Sequence, residues 1–294
     1  MISVILAAYK EPEQVIKAIK VIKNQLKQKN EILVFCPDKE TAVAAESISG
    51  VNAFDDLGRH EFKEKLGKPA ALNQAFKIAK GDILILTDGD VFISDNAISP
   101  LLEKFKDHKI GAVSGNPISI NDKKTMFGFW SYILSDTAHK RRLRALKLGR
   151  RMFCSGYLYA FRNGIIKKIP AETLSEDGLI SHLIYSKGYK IAYSPESRVY
   201  VKYPDNFRDW IKQKKRSAGG YNQIKKWIGQ EIRSFRKESL GVLDILKYAS
   251  NFRELYYILM LIFARLYLWI VIFIDINIKK KEFKQIWVRI DSTK

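Results

Sequence analysis

The chain has 294 residues, 47% apolar and 28% charged. That is enough apolar material for a sizeable core, and it excludes wholesale disorder. Lysine and arginine number 51 against 31 acidic residues, a net charge of +20. This favours anionic partners (nucleotide phosphates, nucleic acid or an acidic membrane face), although a solvated lysine-rich surface gives the same sum.

The first two hundred residues alternate strand-like and helix-like segments. "ISVILAAY" reads as a buried strand, and no signal-peptide n-region or cleavage site precedes it, so catalysis is expected in the cytoplasm. "PEQVIKAIKVIKNQLKQ" carries Val15, Ile19, Ile22 and Leu26 at helical spacing. "EILVFC" is a second strand. "KPAALNQAFKIAK" is a helix with proline in its first turn, and "GDILILTD" is a third strand. A helix around residues 101–106 leads into a fourth strand, "IGAVSG". This rhythm predicts an α/β fold with a mostly parallel sheet and helices on both faces. Cys36 and Cys154 form no C-x-x-C, which points away from a disulfide framework or a cysteine zinc site. His60, His108, His139 and His182 have no metal-ligand spacing.

The character changes near residue 205. Ile224, Trp227, Ile228, Ile232 and Phe235 recur at helical spacing among lysines and arginines. Such a helix suits an anionic membrane surface, or a core with a solvated outer face. Residues 256–274, "YYILMLIFARLYLWIVIFI", carry one charge, Arg265. The run is long enough to span a bilayer. Arg265 argues against lipid on every side, and the basic flanks (Lys247 and Arg253; Lys279, Lys280 and Lys281) set no orientation. A tilted, interfacial or oligomer-packed helix fits, as does a buried helix of a soluble protein.

Asp88 and Asp90 come directly after a buried strand, where ionised groups need partners. In an extended segment, residues i and i+2 point to the same side. Gly89 between them lets a ligand approach the backbone. Two hard oxygen donors at the carboxyl end of a strand suit Mg²⁺ or Mn²⁺ held together with a diphosphate. The same tripeptide also makes an ordinary polar turn. Gly67-Lys68-Pro69 at a helix start is a candidate anion site. Neither a Walker A loop nor a G-x-G-x-x-G fingerprint is present. Glu176 and Asp177 precede an amphipathic helix. They either complement its N-terminus or supply a general base.

With these residues in order, the chain resembles a family 2 inverting glycosyltransferase of the Rossmann-like GT-A fold, from about residue 2 to 220. "SVILAAYKEP" is similar to that family's first strand and nucleotide loop. "GKPAALNQAFKIAKGDILILTDGDVFIS" resembles its glycine-lysine helix and D-x-D. "FCSGYLYAFR" resembles the segment before its acidic motif, and "SEDGLISHLIYSKGYKIAYSPES" resembles the E-D motif with its downstream residues. "QKKRSAGG" is similar to the Q-x-x-R-W of membrane-bound members, with Ser217 in place of the tryptophan.

The resemblance implies a metal-dependent transfer from a UDP- or GDP-sugar. Asp90, helped by Asp88, would hold Mg²⁺ or Mn²⁺ on the diphosphate. Ala7, Tyr9, Glu11 and Asp38 would line the nucleoside pocket, beside Gly89. Lys68 would contact the nucleotide or steady Asp88. Asp177, with Glu176 beside it, would take the proton of the acceptor hydroxyl. Gln213 and Arg216 would close over the diphosphate or acceptor. The implied organisation is a catalytic domain over 1–220 and a membrane-associating region over 221–294 with amphipathic and hydrophobic helices, working at the cytoplasmic face on a lipid or lipid-linked acceptor. The basic run "HKRRLRALKLGRR" (139–151) would contact lipid phosphates, or is a solvated helix face.

Polysaccharide extension is the alternative within the same chemistry. A nucleic-acid-binding protein would share the positive charge, but it leaves Asp88, Asp90, Glu176 and Asp177 unexplained, so no nucleic-acid partner is expected. A nucleotidyltransferase usually has a glycine- and arginine-rich loop where this chain has "AAYKEP". A membrane-anchored scaffold that keeps the fold but not the activity is a further alternative, against which the intact acidic motifs argue.

Overall fold

Strand β1 (Ile2–Ala7) is buried over its first five residues. Its continuous apolar run reflects a strand covered on both faces. In the computed structural model, which describes residues 1–54, 67–229, 242–278 and 293, the chain divides into two compact units. The first comprises 1–118, 141–171 and 176–201; the second comprises 119–140, 172–175 and 202–294.

The first unit is built on an eight-stranded sheet of order β3-β2-β1-β4-β7-β6-β8-β5. Its parallel half joins β1 to β2 (Asn30–Phe35) and β4 (Ile83–Asp88), and β2 to β3 (Val51–Phe54). Beyond β4 the ladder reverses. Strand β7 (Leu158–Arg162) pairs antiparallel with both β4 and β6 (Ile110–Ser119). The short β5 (Phe92–Ile93) pairs antiparallel with β8 (Lys190–Val201). The sheet is therefore mixed, with the parallel strands β3, β2, β1 and β4 forming one half and the antiparallel pairings lying beyond β4.

Helix α1 (Pro12–Gln25) starts on proline and buries Val15, Ala18, Ile19 and Ile22. Leu26, expected on that stripe, is instead the residue that ends the helix. Helix α2 (Lys39–Glu46) is capped by Asp38, whose side chain accepts from the Thr41 backbone N–H at 3.0 Å. Helices α3 (Gly67–Ile78), α4 (Ile98–Glu103, extended by a 3₁₀ turn over Lys104–Lys106) and α6 (Glu176–Ser186) complete this unit. It also takes the last residues of α5 (Met126–Lys147).

The second unit is helical. Its core joins Phe129, Trp130 and Ile133 of α5, Trp210 of α7 (Phe207–Ile228), and Ile258, Leu261 and Ala264 of α9 (Phe252–Phe273). The indole of Trp130 donates to the Tyr257 carbonyl at 2.7 Å and meets Trp210 edge-on. Helix α8 (Val242–Leu246) precedes α9, and a π-helical turn, Ile274–Ile278, comes after it. Lys215 of α7 forms an ion pair with the buried Asp275 of that turn. Segment 172–175 belongs to this unit and is held by α7. Gln223, fully buried, accepts from Leu174 N–H and donates to the Glu172 carbonyl, each at 2.9 Å. A side chain at Gly220 would strike the Cβ of Ser175 at 2.6 Å, so only glycine fits. Helix α7 runs unbroken through residue 220; Ile232 and Phe235, expected on its apolar stripe, lie outside the described residues.

Candidate active site

The site lies at the carboxyl ends of β1, β2 and β4. Register puts Ala7 level with both Asp88 and Phe35, so the three strands finish together. Backbone hydrogen bonds stitch their ends: Gly89 N–H to the Ala7 carbonyl at 2.9 Å, and Ala8 N–H to the Phe35 carbonyl at 3.0 Å. The loop after β1 is then fastened to the start of α2. Asp38 accepts from Lys10 N–H at 2.7 Å, and Thr41 accepts from Glu11 N–H at 2.9 Å. Lys10 sits at φ 55°, an uncommon conformation for a residue with a side chain. Glu11 is buried, and Tyr9 is half-buried beneath the ammonium of Lys10. Asp38 thus has two structural duties: it caps α2 and shapes the 8–11 loop.

Asp88 ends β4, while Gly89 and Asp90 form a turn. The same-side argument for an extended D-x-D therefore does not describe this geometry. Nor is the room at Gly89 left for a ligand. A Cβ there would lie 2.7 Å from the Cβ of Ala8 and 3.4 Å from Oε2 of Glu11, so the protein itself uses the space.

Lys68, at the start of α3, joins two motifs. Its ammonium lies 2.6 Å from Oδ1 of Asp88 and 2.9 Å from Oε1 of Glu176. The three side chains are only 22%, 26% and 14% exposed. Burial alone would lower the lysine's pKa, but Asp88 and Glu176 together hold it well above the ordinary lysine range. The cation is therefore permanent, and it sits between two acids that would otherwise repel each other. Asp177 is held differently: Oδ2 accepts from Gly156 N–H at 3.0 Å and Oδ1 from Gly178 N–H at 2.8 Å. Burial, with the charge of Asp177 adding, pushes the Cys154 thiol up to about 12, over opposing pulls from Ser181 and Arg142.

Gln213 and Arg216 lie three residues apart on α7, in the second unit. The Oε1 of Gln213 is buried without a hydrogen-bond partner among the described residues. Such an atom suits a site that a ligand completes.

Among the described residues no group of three or more His, Cys, Asp or Glu is arranged to hold a metal ion. Asp88 and Asp90 alone offer the one or two carboxylates that Mg²⁺ uses when substrate phosphates supply other ligands, so the donor set fits a metal that arrives with a diphosphate. Thr41, Gly156 and Tyr159 were not singled out from the sequence. The pattern "PDKET" carries the helix-cap signal of Asp38, with Thr41 three residues on; Gly156 and Tyr159 lie within "FCSGYLYAFR", the segment that resembles the one before the family's acidic motif, which marks neither residue singly.

A family model described as "Glycosyltransferase like family 2" matches residues 1–220. Among curated proteins, the chain is 28% identical over 229 residues to a poly-beta-1,6-N-acetyl-D-glucosamine synthase of Staphylococcus aureus (strain COL), covering 76% of this chain and 55% of the synthase. A synthase of the same name from Staphylococcus epidermidis is 27% identical over the same length and coverage. The chain thus spans about half the length of these relatives. Among solved structures, the mannosyltransferase PcManGT from Pyrobaculum calidifontis, in complex with GDP-Man and Mn²⁺, has a similar fold. The TM-score is 0.59 at 18% identity, covering 97% of this chain and 82% of that one.

Proposed function

Because this chain belongs to glycosyltransferase family 2 and is a glycosyltransferase, we propose that it moves a sugar from a nucleotide-diphospho-sugar to a hydroxyl or phosphate of a membrane lipid or lipid-linked acceptor, with inversion at the anomeric carbon. The observation that carries this reading is the bridge from Lys68 to Asp88 and Glu176, which sets the D-x-D beside the E-D motif.

In this reading Asp88 and Asp90 would hold Mg²⁺ or Mn²⁺ at the diphosphate end of the donor. When bound, that ion supplies Lewis-acid neutralisation of the leaving group. The PcManGT complex with GDP-Man and Mn²⁺ supports that choice by analogy of fold. Ala7 and Asp38 line the nucleoside pocket together with Tyr9 and Glu11, whose loop Asp38 and Thr41 already fix. Asp177 removes the proton of the attacking hydroxyl, its carboxylate oriented by Gly156 and Gly178 N–H. Lys68 bridges Asp88 and Glu176 and holds the two side chains in place. Gln213 and Arg216 are assigned to the diphosphate or acceptor by motif match.

Two surfaces support a membrane-bound acceptor. Helix α9 has 22 residues and contains an 18-residue stretch with a mean hydropathy of 2.1, long and apolar enough to cross a bilayer. Leu255, Leu259, Phe263, Leu266, Ile270 and Phe273 of α9 are exposed. At the end of α5, Leu143, Leu146 and Leu148 are exposed among Arg141, Arg144, Lys147, Arg150 and Arg151. Apolar side chains set among cations suit an anionic lipid interface.

The test is an assay of purified full chain with membrane lipid extract and a panel of UDP- and GDP-sugars, with Mg²⁺ or Mn²⁺, with EDTA, and as Asp177→Asn. Transfer should need the metal and fall by at least about 10²-fold in the variant, the usual scale for a lost general base. Full activity in EDTA, or in Asp177→Asn, overturns the mechanism. The similarity to poly-beta-1,6-N-acetyl-D-glucosamine synthases favours a second reading, in which the acceptor is a growing glycan. A ladder of long products, rather than a single added sugar, would select it.

A further inference from the structure

Tyr159 sits in the middle of β7 with its side chain 0% exposed, and its hydroxyl has no hydrogen-bond partner among the described residues. Register fixes which way it faces. Tyr159 pairs with Leu86 and Phe161 with Leu84, and residues directly opposed in an antiparallel ladder share a side. Asp88, two residues beyond Leu86, is on that side as well. Helix α3 covers it: Phe76 of α3 meets Phe161 edge-on at 5.6 Å, and Lys68 of α3 reaches Asp88. Phe161 in turn stacks on Tyr159 at 6.3 Å. Tyr159 therefore stands between Phe161 and the Lys68–Asp88–Glu176 cluster. Burial, then the charges of Glu176 and Asp177, hold its hydroxyl well above the ordinary tyrosine range, so it remains a proton donor at any working pH.

A buried hydroxyl without a partner costs stability, and phenylalanine would fill the same space without that cost. Unsatisfied groups of this kind are rare in folded proteins and concentrate where a ligand or a second state completes them. The neighbouring bridge shows what would change. Lys68 serves two carboxylates at once. A diphosphate and cation held at Asp88 would compete with Lys68 for that carboxylate, and a change in the Lys68–Glu176 pairing would let the Glu176 carboxylate accept from a hydroxyl. We propose that Tyr159 is a positioning residue of the acid pair: on donor binding its hydroxyl donates to the Glu176 carboxylate and thereby fixes the start of α6, which carries Asp177. This rests on the reading of Asp177 as the base.

The test is Tyr159→Phe in the full chain. The variant should melt no lower than the parent. Its kcat should fall about tenfold or more, as small misplacements of reacting groups do, with KM for the nucleotide sugar within about twofold. An unchanged kcat overturns the inference. Should the phenylalanine variant fold poorly, 3-fluorotyrosine at 159 retains the hydroxyl, and its ¹⁹F resonance should shift on adding UDP or GDP with Mg²⁺; a resonance that stays in place for both overturns the inference. Asp177→Asn is measured alongside. If it stays active, the assignment of the base fails. If it is inactive while Tyr159→Phe is unaffected, only the positioning role fails.

Discussion

The acid cluster of the first unit and helix α9 of the second invert the usual rule of burial in opposite ways. Around Lys68, charged groups are mostly buried, and each is matched at hydrogen-bond distance. Along α9, apolar groups are exposed: Ile258, Leu261, Ala264, Leu268 and Ile272 are buried, while Phe263, Leu266 and Ile270 on the other faces are open. Ordinary folding explains neither. Buried charge is costly unless paired, and a contiguous apolar face calls for an apolar neighbour. The first arrangement demands geometry and the second only area. Changes in the cluster should therefore be felt in catalysis, and changes on the open face of α9 in attachment.

The sharpest way to break this contrast is Lys68→Met. It leaves Asp88 and Glu176 facing each other without their cation. Because these side chains keep some solvent contact, the stability loss should be about 1–3 kcal/mol, below the full cost of a split buried pair. Activity should fall far more, since both motifs lose their common anchor. Adding Glu176→Gln should restore part of the stability and none of the activity, measured as a double-mutant cycle by denaturant titration. Additive stability changes would mean that the bridge is incidental.

The second test sets two apolar residues of α9 against each other. Leu261→Ala, on the buried face, should cost about 2–4 kcal/mol through lost burial and a cavity. Phe263→Ser, on the open face, should leave stability within about 0.5 kcal/mol, as surface changes do, while lowering the fraction that sediments with anionic vesicles. Equal stability losses at the two positions would show that a protein contact covers the open face.

The two regions also differed in how far they could be read from sequence. Strands β1, β2 and β4 are continuous apolar runs because both their faces are covered, and α9 announced itself by length and hydropathy. The lysine at a helix start was legible only as an anion site; its place beside Asp88 came from the family resemblance, as one of two roles. Its second partner, Glu176, was not foreseeable, because that contact depends on the reversal of the sheet at β7, and "LYAFR" does not reveal which strand it joins. The same reversal hides Tyr159, whose neighbours are all set by register. Helix α2 and strand β3 are too short to carry a period. At Asp90 the strand reading failed for a local reason: glycine and aspartate formed the turn that their chemistry allows, ending the strand at Asp88.

The smallest effect is expected at Cys154, which feels the charge of Asp177 without joining the chemistry, and it vanishes at neutral pH. The folded state holds this thiol protonated up to about 12, whereas an unfolded cysteine ionises near 8.5. Between those values the unfolded chain binds fewer protons, so stability must fall as pH rises. The slope from this group is about 1.4 kcal/mol per pH unit at most, beginning above about pH 8.5. Cys154→Ala removes that contribution. The stability difference between parent and variant should be constant from pH 6 to 8 and then shift in the variant's favour as pH climbs to 9.5. In the same range the native thiol should resist iodoacetamide until the chain is unfolded. A flat difference curve, or rapid alkylation of folded protein at pH 8, would show that the surroundings of Cys154 are open to solvent, and the contrast with the exposed face of α9 would lose its sharpest edge.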